Sequence, residues 1–420
     1  MLLFACYRSP RVPPLVLSMS NHHLTCKLVD ILSHALHFNL SRFYFVYYFF
    51  VGAFVPYWGL YLQSEHFSAA DIGILMSLFQ ISRIFAPNCW GWLADHTKQR
   101  VKWIRLTALL GLLGFTAVFW AHGFFWVFFV MASLSLFTSS TLPLSESLTL
   151  AHLATTNGHY SKIRMWGSLG FIVASVMLGF TIDAFGIHSL LWFLLSVQII
   201  LFALTFKLPE ASIAPHDDDH FSFLTIIKNP TVIALLLGCA LMVTAHGVLY
   251  NFYSIYLAQH GYSKKVIGLL WSLGVVCEII IFMLMPKIMA RFSLKNIMLT
   301  SLALAVLRFA LIGVAVNNVL LLLIAQSLHA ATFGSFHAAS VEVITQFFNG
   351  RHQSKGQAIY NSVAYGVGGT IGGLAGGYAL QYLGGETTFL LAAIFPLIGF
   401  IVIALGLKLV QTHGRAGMFS

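Results

Sequence analysis

The sequence predicts an all-α polytopic membrane protein whose twelve helices form two six-helix bundles related by an internal repeat. Of the 420 residues, 58% are hydrophobic and only 9% are charged. A soluble domain has roughly 45–50% apolar and about 25% charged residues. Apolar stretches long enough to cross a bilayer recur along the chain, and two distant segments align with each other. These three observations together favour a membrane protein built from two similar halves.

Twelve spans can be identified by length, because about 20 apolar residues are needed to cross roughly 30 Å of hydrocarbon. A polar stretch containing Asp217-Asp218-Asp219 divides the spans into two sets of six. The sets lie near 40–62, 71–93, 103–121, 124–149, 163–184 and 187–207, and near 231–258, 265–290, 296–316, 318–346, 357–382 and 387–409. We therefore predict an N-terminal bundle over 39–207, a cytoplasmic linker over 208–229, a C-terminal bundle over 230–410 and a tail over 411–420.

The first 38 residues do not follow this pattern. They combine prolines, histidines and short apolar runs, which form neither a spanning helix nor a signal peptide. We predict that residues 1–38 are a disordered extension, or that the start is assigned too far upstream and Met19 is nearer the real one.

Basic residues predict the orientation. The connections after even-numbered spans contain thirteen Lys and Arg residues, whereas those after odd-numbered spans contain only Lys264 and Lys265. Cytoplasmic loops are enriched in basic residues, so both termini are predicted to be cytoplasmic in a multi-pass protein of the cell (inner) membrane. The net charge of +10 follows from this topology. It does not indicate a nucleic-acid partner, because no basic run is interleaved with exposed aromatic residues.

Reactive groups are sparse. The five cysteines show no Cys-x-x-Cys spacing, so neither a disulfide framework nor a metal site is predicted. No nucleophile is paired with a base, which argues against an enzyme. We predict no cofactor, and we expect a monomer whose partners are the lipid bilayer, a small organic anion and a proton.

The internal repeat aligns YLQSEHFSAADIGILMSL (61–78) with YLAQHGYSKKVIGLLWSL (256–273). These segments run from helix 1 to helix 2 and from helix 7 to helix 8, so the halves share a direction and are related by an axis along the membrane normal. Transporters built in this way bind their substrate between the halves. The same register places Arg83 of helix 2 opposite Glu278 of helix 8.

The connection after helix 2 reads GWLADHTKQR (91–100) and resembles the G-x-L-A-D-R-x-G-R-K loop signature of the major facilitator superfamily. Gly91, Leu93, Ala94 and Asp95 match in place. His96 replaces the usual Arg, Lys98 the usual Gly, and Gln99 the first residue of the basic pair. The resemblance implies a major facilitator fold, and it implies that Asp95 helps to latch the cytoplasmic gate.

Four longer segments resemble the 3-phenylpropionate permease branch of this superfamily, and the likeness extends from about residue 40 to 405. The segments are KIRMWGSLGFIVASVMLG (162–179), LLWSLGVVCEIIIF (269–282), QSLHAATFGSFHAASVEVI (326–344) and GQAIYNSVAYGVGGTIGGLAGGYAL (356–380). This branch consists of proton-coupled carriers of aromatic carboxylates. The resemblance implies a symporter that imports a compound such as 3-phenylpropionate.

Ionisable residues within spans are costly unless they are paired or face water, so each is a functional candidate. We assign proton coupling to Glu278, His329, His337 and Glu342, carboxylate binding to Arg83 and Arg308, and gating to Glu146 and Arg164 together with Asp95. The charge pattern also resembles the lactose permease type, although His337 and Glu342 are five residues apart and not one turn. Two structural alternatives stay open: Glu278 pairs permanently with Arg308 or Arg83, and Glu146 pairs with Arg164.

Aromatic side chains are candidates for stacking on a substrate ring. The candidates are Tyr57, Trp58, Tyr253 and Trp271. Belts of aromatic residues at the membrane interface have the same composition and are the alternative interpretation.

Three other functions are alternatives: an exporter of drugs or hydrophobic compounds, a sugar or nucleoside proton symporter, and a membrane enzyme or receptor. Family exporters usually carry a proline-containing signature in helix 5 and often an acid in helix 1. Helix 5 here reads WGSLGFIVASVMLG and helix 1 has no acid, so import is favoured over export.

Overall fold

The computed structural model describes residues 19–153, 160–211, 223–348 and 352–408, and every regular element in these ranges is a helix. The first half contains α1 (Met19–Ser64), α2 (Ala69–Thr97), α3 (Arg100–Thr116), α4 (Phe124–Leu153), α5 (Tyr160–Phe185) and α6 (Ser189–Thr205). The second half contains α7 (Pro230–Gln259), α8 (Lys264–Arg291), α9 (Leu294–Val314) and α10 (Val319–Phe347), followed by α11 (353–383) and α12 (385–406).

The predicted number of twelve membrane helices is confirmed. Ten helices of the described chain are long and apolar enough to cross a membrane. One of them, Gln353–Gly406, contains both α11 and α12, because Gly384 breaks it with φ 78° and ψ 171°. The shorter apolar helix α6 is the twelfth. The chain is therefore an all-α polytopic membrane protein.

Two predicted segment boundaries differ in detail from the structure. Helix α1 begins at Met19, so residues 19–38 are helical, whereas residues 1–18 lie outside the described residues. Within the predicted linker 208–229, a short helix covers Phe223–Ile227, and residues 212–222 are not described. The predicted tail over 411–420 also lies outside the described residues.

The repeat is visible in how equivalent helices begin. Ser68 is the N-cap of α2 and accepts a hydrogen bond from the Asp71 backbone N–H, and Ser263 is the N-cap of α8 and accepts one from the Val266 N–H. A hydroxyl at the N-cap satisfies an N–H group that has no partner within the helix. The two serines occupy matched positions of the repeat, so the equivalent helices of the two halves begin with the same N-cap interaction.

The two halves meet along two main seams, one between α2 and α11 and one between α5 and α8, and α1 also contacts α7. Glycines allow the backbones to approach: a Cβ on Gly73 would meet Gly373 and Gly377, and a Cβ on Gly268 would meet the Ser175 carbonyl. These contacts lie at the end of the bundle opposite the Lys- and Arg-rich connections. We call the end with those connections the basic end, and the halves are sealed together at the opposite end.

Hydrogen bonds hold both seams where the helices α8 and α2 begin. The Asp183 carboxylate of α5 accepts from the backbone N–H groups of Lys264 (3.0 Å) and Lys265 (2.9 Å). In the other seam, the Gln381 side-chain oxygen of α11 accepts from the Ala70 N–H at 3.0 Å. Each side chain thus caps the N-terminus of a helix that belongs to the other half.

Candidate functional site

A cavity of about 1650 Å³ lies between the two halves and opens at the basic end. Lys162, in the first turn of α5, and Gln353, at the start of α11, line its mouth. Typical ligand pockets enclose roughly 300–1,000 Å³. The larger volume fits a cavity that is closed at one end by the two seams and open at the other.

Glu278 lies on the second-half wall of this cavity, with 20% of its side chain exposed. Its Oε2 atom is 3.7 Å from Nε2 of His329 on α10. This separation is longer than a direct hydrogen bond. A small movement of either side chain would form the bond, and a single water molecule could bridge the two atoms. The predicted acid and one predicted histidine are therefore neighbours, whereas neither Arg83 nor Arg308 forms an ion pair with Glu278 in the described chain.

Arg308 of α9 is fully buried, and it is among the residues that line the cavity on this side. Its Nε donates to the Ala325 carbonyl at 2.9 Å and its Nη2 to the Gln326 oxygen at 3.0 Å. Its Nη1 lies 3.2 Å from His246 Nε2, 3.0 Å from His329 Nδ1 and 3.1 Å from Thr332 Oγ1. All five contacts are within the second half, so each nitrogen of the guanidinium predicted to bind a carboxylate already contacts the protein.

Arg83 has very different surroundings. It lies on the first-half wall, its side chain is exposed to the cavity, and no described residue forms a hydrogen bond or ion pair with its guanidinium. Tyr47 and Tyr48 of α1 and, on the other side, Tyr250 and Tyr365 line the same cavity. A permanently charged group is thus available to a ligand between the two halves.

Aromatic rings cover the second-half wall. Tyr250 of α7 stacks on Trp271 of α8, with ring centroids 6.0 Å apart and an interplanar angle of 27°. Phe333 of α10 lies parallel to the rings of His329 and His337, at 5.2 Å and 5.9 Å. These five side chains line the cavity, and so does Tyr365 of α11. We call five of these six residues the aromatic wall: Tyr250, Trp271, Phe333, His337 and Tyr365.

Tyr250, Phe333 and Tyr365 were not among the site residues predicted from the sequence. Phe333 and Tyr365 lie in π-helical segments, Ala330–Ser335 of α10 and Asn361–Gly368 of α11. Such segments shift the faces of a helix and are frequent at functional sites. The spacing of His329, Phe333 and His337, four residues each, does indicate one helix face and could have identified Phe333.

Three of the predicted aromatic residues lie away from the cavity. The Tyr57 hydroxyl donates to the Ser175 carbonyl at 2.6 Å in the α5–α8 seam. Trp58 is fully buried inside the first half, where it stacks on Phe54 at 4.9 Å. Tyr253 is buried behind Trp271, edge-on to it at 5.9 Å. Of the four candidates, Trp271 alone contributes to the described cavity lining.

His337 and Glu342 are separated in the structure. His337 Nδ1 is 2.9 Å from the Tyr360 hydroxyl and 3.1 Å from the Tyr365 hydroxyl, within the cavity wall. Glu342 accepts from Gln346 Nε2 of its own helix at 3.3 Å and is not part of the described lining. No direct contact connects these two residues.

Glu146 and Arg164 both lie near the mouth of the cavity, on α4 and α5. The Tyr160 hydroxyl donates to Glu146 at 2.8 Å, and the Arg164 guanidinium packs 3.8 Å from the ring centroid of Tyr48. No ion pair joins Glu146 to Arg164 in the part of the chain that is described. Glu146, Arg164 and Glu278 nevertheless line the same cavity.

Asp95, the predicted latch, forms its ion pair within its own half. Its carboxylate is 2.9 Å from Arg100 Nη2, which belongs to the start of α3. The backbone N–H groups of Arg100 and Val101 donate to the Glu210 carboxylate at 3.1 Å and 3.0 Å. At this open end, Asp95 is connected to its own half and not to the other one.

Comparison with known proteins places this architecture. The family model described as "MFS_1 like family" matches residues 37–391. The chain is 30% identical over 363 residues to the "Probable 3-phenylpropionic acid transporter" of Escherichia coli (strain K12), covering 84% of this chain and 94% of that protein. It is 24% identical to the "Xanthosine permease" of Escherichia coli (strain K12), covering 80% and 86%. The crystal structure of nucleoside transporter NupG superposes with a TM-score of 0.75 at 18% identity, covering 89% of this chain and 100% of that one.

Proposed function

Because this chain belongs to the MFS_1 like family of major facilitator transporters, we propose that it imports a small aromatic carboxylate together with a proton by alternating access. The relatives named above are transporters or permeases, not enzymes. The observation that carries the proposal is Arg83, whose guanidinium faces the cavity without a partner among the described residues and lies across from the aromatic wall.

The charge of Arg83 indicates an anion. A charged side chain at membrane depth is costly and needs a counter-charge or water. Arginine presents a planar fork of donors that matches a carboxylate in a bidentate geometry. A bound carboxylate therefore compensates a charge that no described residue pairs, and it does so in the space between the two halves.

The aromatic wall supports an aryl group in the same ligand. Offset or edge-on packing of aromatic rings contributes about 0.5–1.5 kcal/mol per pair beyond buried area. A ligand whose carboxylate contacts Arg83 in the first half and whose ring packs on Phe333 or Tyr250 in the second half bridges both halves. In alternating-access transporters built from two repeats, the substrate site lies at the interface between them. The name of the relative at 30% identity is in accord with a phenylpropionate-like compound.

Glu278 supports proton coupling. It is a carboxyl group on the cavity wall, next to a histidine and within range of the Arg164 charge. Protonation removes the charge of Glu278. Loss of this charge changes the free-energy difference between the conformations in which the cavity is open and closed. The basic connections favour a cytoplasmic location for the open end, so this conformation corresponds to the one that releases an imported substrate.

Nucleosides are the second candidate substrate class, and one observation favours them. Four amide side chains of the cavity lining have a buried oxygen or nitrogen atom without a partner in the described chain. They are Gln80, Gln198, Gln326 and Gln357. Such groups gain hydrogen bonds from a ligand rich in hydroxyls and ring nitrogens, and two relatives are a xanthosine permease and a nucleoside transporter.

The test is transport by the purified chain in liposomes with an inward proton gradient. Labelled 3-phenylpropionate is expected to accumulate, and a protonophore is expected to abolish the accumulation. Protein-free liposomes are the necessary control, because the neutral acid crosses lipid unaided. Xanthosine and uridine are assayed in parallel. Accumulation of a nucleoside without that of the carboxylate favours the second candidate, and accumulation of neither contradicts both.

A further inference from the structure

The Arg308 guanidinium lies between two histidines of the second half. His246 of α7 and His329 of α10 approach the same nitrogen, Nη1, at 3.2 Å and 3.0 Å. A guanidinium has five N–H donors and no acceptor. Nη1 carries two hydrogens and has three neighbours, the two rings and Thr332 Oγ1. Because Nη1 cannot accept a hydrogen bond, an unprotonated imidazole nitrogen is favoured at each of the two positions that face it, and this preference indicates where each ring carries its hydrogen.

The two rings carry their hydrogens on different atoms. His246 faces Arg308 with Nε2, and its Nδ1 is 2.9 Å from the Met242 carbonyl, which can only accept. Its hydrogen is therefore on Nδ1. His329 faces Arg308 with Nδ1, so its hydrogen is on Nε2, the atom 3.7 Å from Glu278. This geometry favours two neutral rings of opposite tautomers.

We propose that Arg308 is a positioning residue that keeps His246 and His329 as neutral imidazoles of opposite tautomers, so that Glu278 is the group of this cluster that takes the transported proton. The coupling part of this proposal rests on the proposed function. A further proton on either ring would place an N–H against a donor-only cation and a second positive charge beside it. Both rings are at least nine-tenths buried, which makes that arrangement costly.

The other ionisable groups around Glu278 and His329 are accounted for. Arg164 faces them from α5, Tyr250 from α7, His337 from α10 and Tyr365 from α11. The arginine keeps its charge and phenols stay neutral near neutral pH. His337 contacts two hydroxyl groups, which can accept as well as donate, so its protonation is not blocked by Arg308. The ¹⁵N signal of His337 therefore serves as an internal reference for an imidazole that does not contact Arg308.

The tautomers can be read directly from ¹⁵N-histidine-labelled protein in liposomes, because protonated and unprotonated ring nitrogens have distinct chemical shifts. Difference spectra with His246→Gln and His329→Gln assign the two rings. The wild-type protein is expected to show hydrogen on Nδ1 of His246 and on Nε2 of His329, with no imidazolium at either from about pH 8 to about pH 5. Titration of either ring in that range, or the opposite tautomer, overturns the proposal.

Arg308→Gln is expected to release both rings from their fixed tautomers, so that at least one shows a mixture of the two neutral tautomers, whereas burial continues to disfavour imidazolium. Arg308→Lys keeps the positive charge and is the second variant, to be used if Arg308→Gln does not fold. Lysine lacks the planar set of guanidinium donors, so it is expected to fix the tautomer of only one of the two rings. Thr332→Val removes the third acceptor of Nη1 without touching an imidazole and should leave both tautomers unchanged. Unchanged tautomers in both Arg308 variants contradict the proposal.

A transport measurement separates this proposal from the proposed function. Glu278→Gln is expected to abolish proton-driven uptake while leaving both histidine signals as in the wild type. If the wild-type protein shows no proton-driven uptake but the tautomers respond to Arg308 as expected, proton coupling fails and the positioning role of Arg308 stands. If uptake is proton-driven and the tautomers do not depend on Arg308, the reverse holds.

Discussion

Arg83 and Glu278 occupy matched positions in the two halves, yet the protein treats them differently. Both lie on the cavity wall, on α2 and α8. Arg83 is exposed to the cavity and has no partner among the described residues, whereas Glu278 has His329 at 3.7 Å, backed by buried Arg308. The first half offers a permanent charge to the cavity, and the second half offers a charge that can be neutralised by one proton.

The comparison suggests how two similar halves divide one task. A fixed cation can bind an anion in every conformation, so by itself it gives no coupling. A carboxyl group with a supporting network changes its charge with protonation and can therefore link a proton to the movement of the halves. The repeat gives two equivalent positions, and we propose that their opposite residue types serve complementary roles.

The largest expected effect comes from removing the titratable member of the pair. Glu278→Gln keeps the shape of the side chain but cannot exchange a proton, so accumulation driven by a proton gradient should be lost and the pH dependence of uptake should vanish. Uptake by liposomes at several external pH values measures both. The matched control is Glu342→Gln, because Glu342 contacts Gln346 and lies outside the described lining. Normal proton-driven accumulation by Glu278→Gln would show that Glu278 does not couple the proton to transport.

Replacing Arg83, the permanently charged residue of the pair, is expected to lower the affinity for the carboxylate substrate. Arg83→Gln loses a charge-assisted interaction worth about 1.5–3 kcal/mol, which corresponds to an apparent KM for the carboxylate that is roughly 10- to 100-fold higher. Concentration dependence of initial uptake measures this change. Arg105→Gln is the control, because Arg105 donates to the Thr205 carbonyl and does not line the cavity. An unchanged KM would mean that another group binds the carboxylate.

A smaller effect is expected from the aromatic wall. Phe333→Leu removes ring packing worth about 0.5–1.5 kcal/mol, so the KM for an aryl carboxylate should rise roughly 2- to 12-fold. An aliphatic carboxylate of similar length should be affected less, and competition between the two ligands measures the difference. Phe129→Leu on the exposed face of α4 is the control. Equal losses for both ligands would argue that Phe333 supports the fold and not the ring.

Most of the fold could be predicted from the sequence, because membrane helices need about 20 apolar residues regardless of their partners. The repeat even predicted equivalent helix starts, as Ser68 and Ser263 show. The break at Gly384 also falls between the last two predicted spans. What hydropathy could not give was the start of α1 at Met19, because polar residues extend that helix beyond its apolar part.

The site was less predictable. Apolar helices carry no polar stripe to indicate which face turns inward, so Tyr57, Trp58 and Tyr253 were chosen by composition and lie away from the cavity. The π-helical segments that carry Phe333 and Tyr365 depend on neighbouring helices and have no simple sequence signal. Charged residues were easier to identify: Arg83 and Glu278 stood out because so few charges occur within the spans.

The unequal caps at the sealed end have a consequence for the order of events. Asp183 is an anion that holds two N–H groups at the start of α8, whereas Gln381 is a neutral amide that holds one at the start of α2. A negative charge at a helix N-terminus gains from the helix dipole, and a neutral amide gains less. The Gln381 contact is less exposed to solvent than the Asp183 contacts, but it is expected to be the weaker of the two caps. Opening is expected to start along α2 and α11 and to reach α5 and α8 afterwards, as a sequential event and not a simultaneous one.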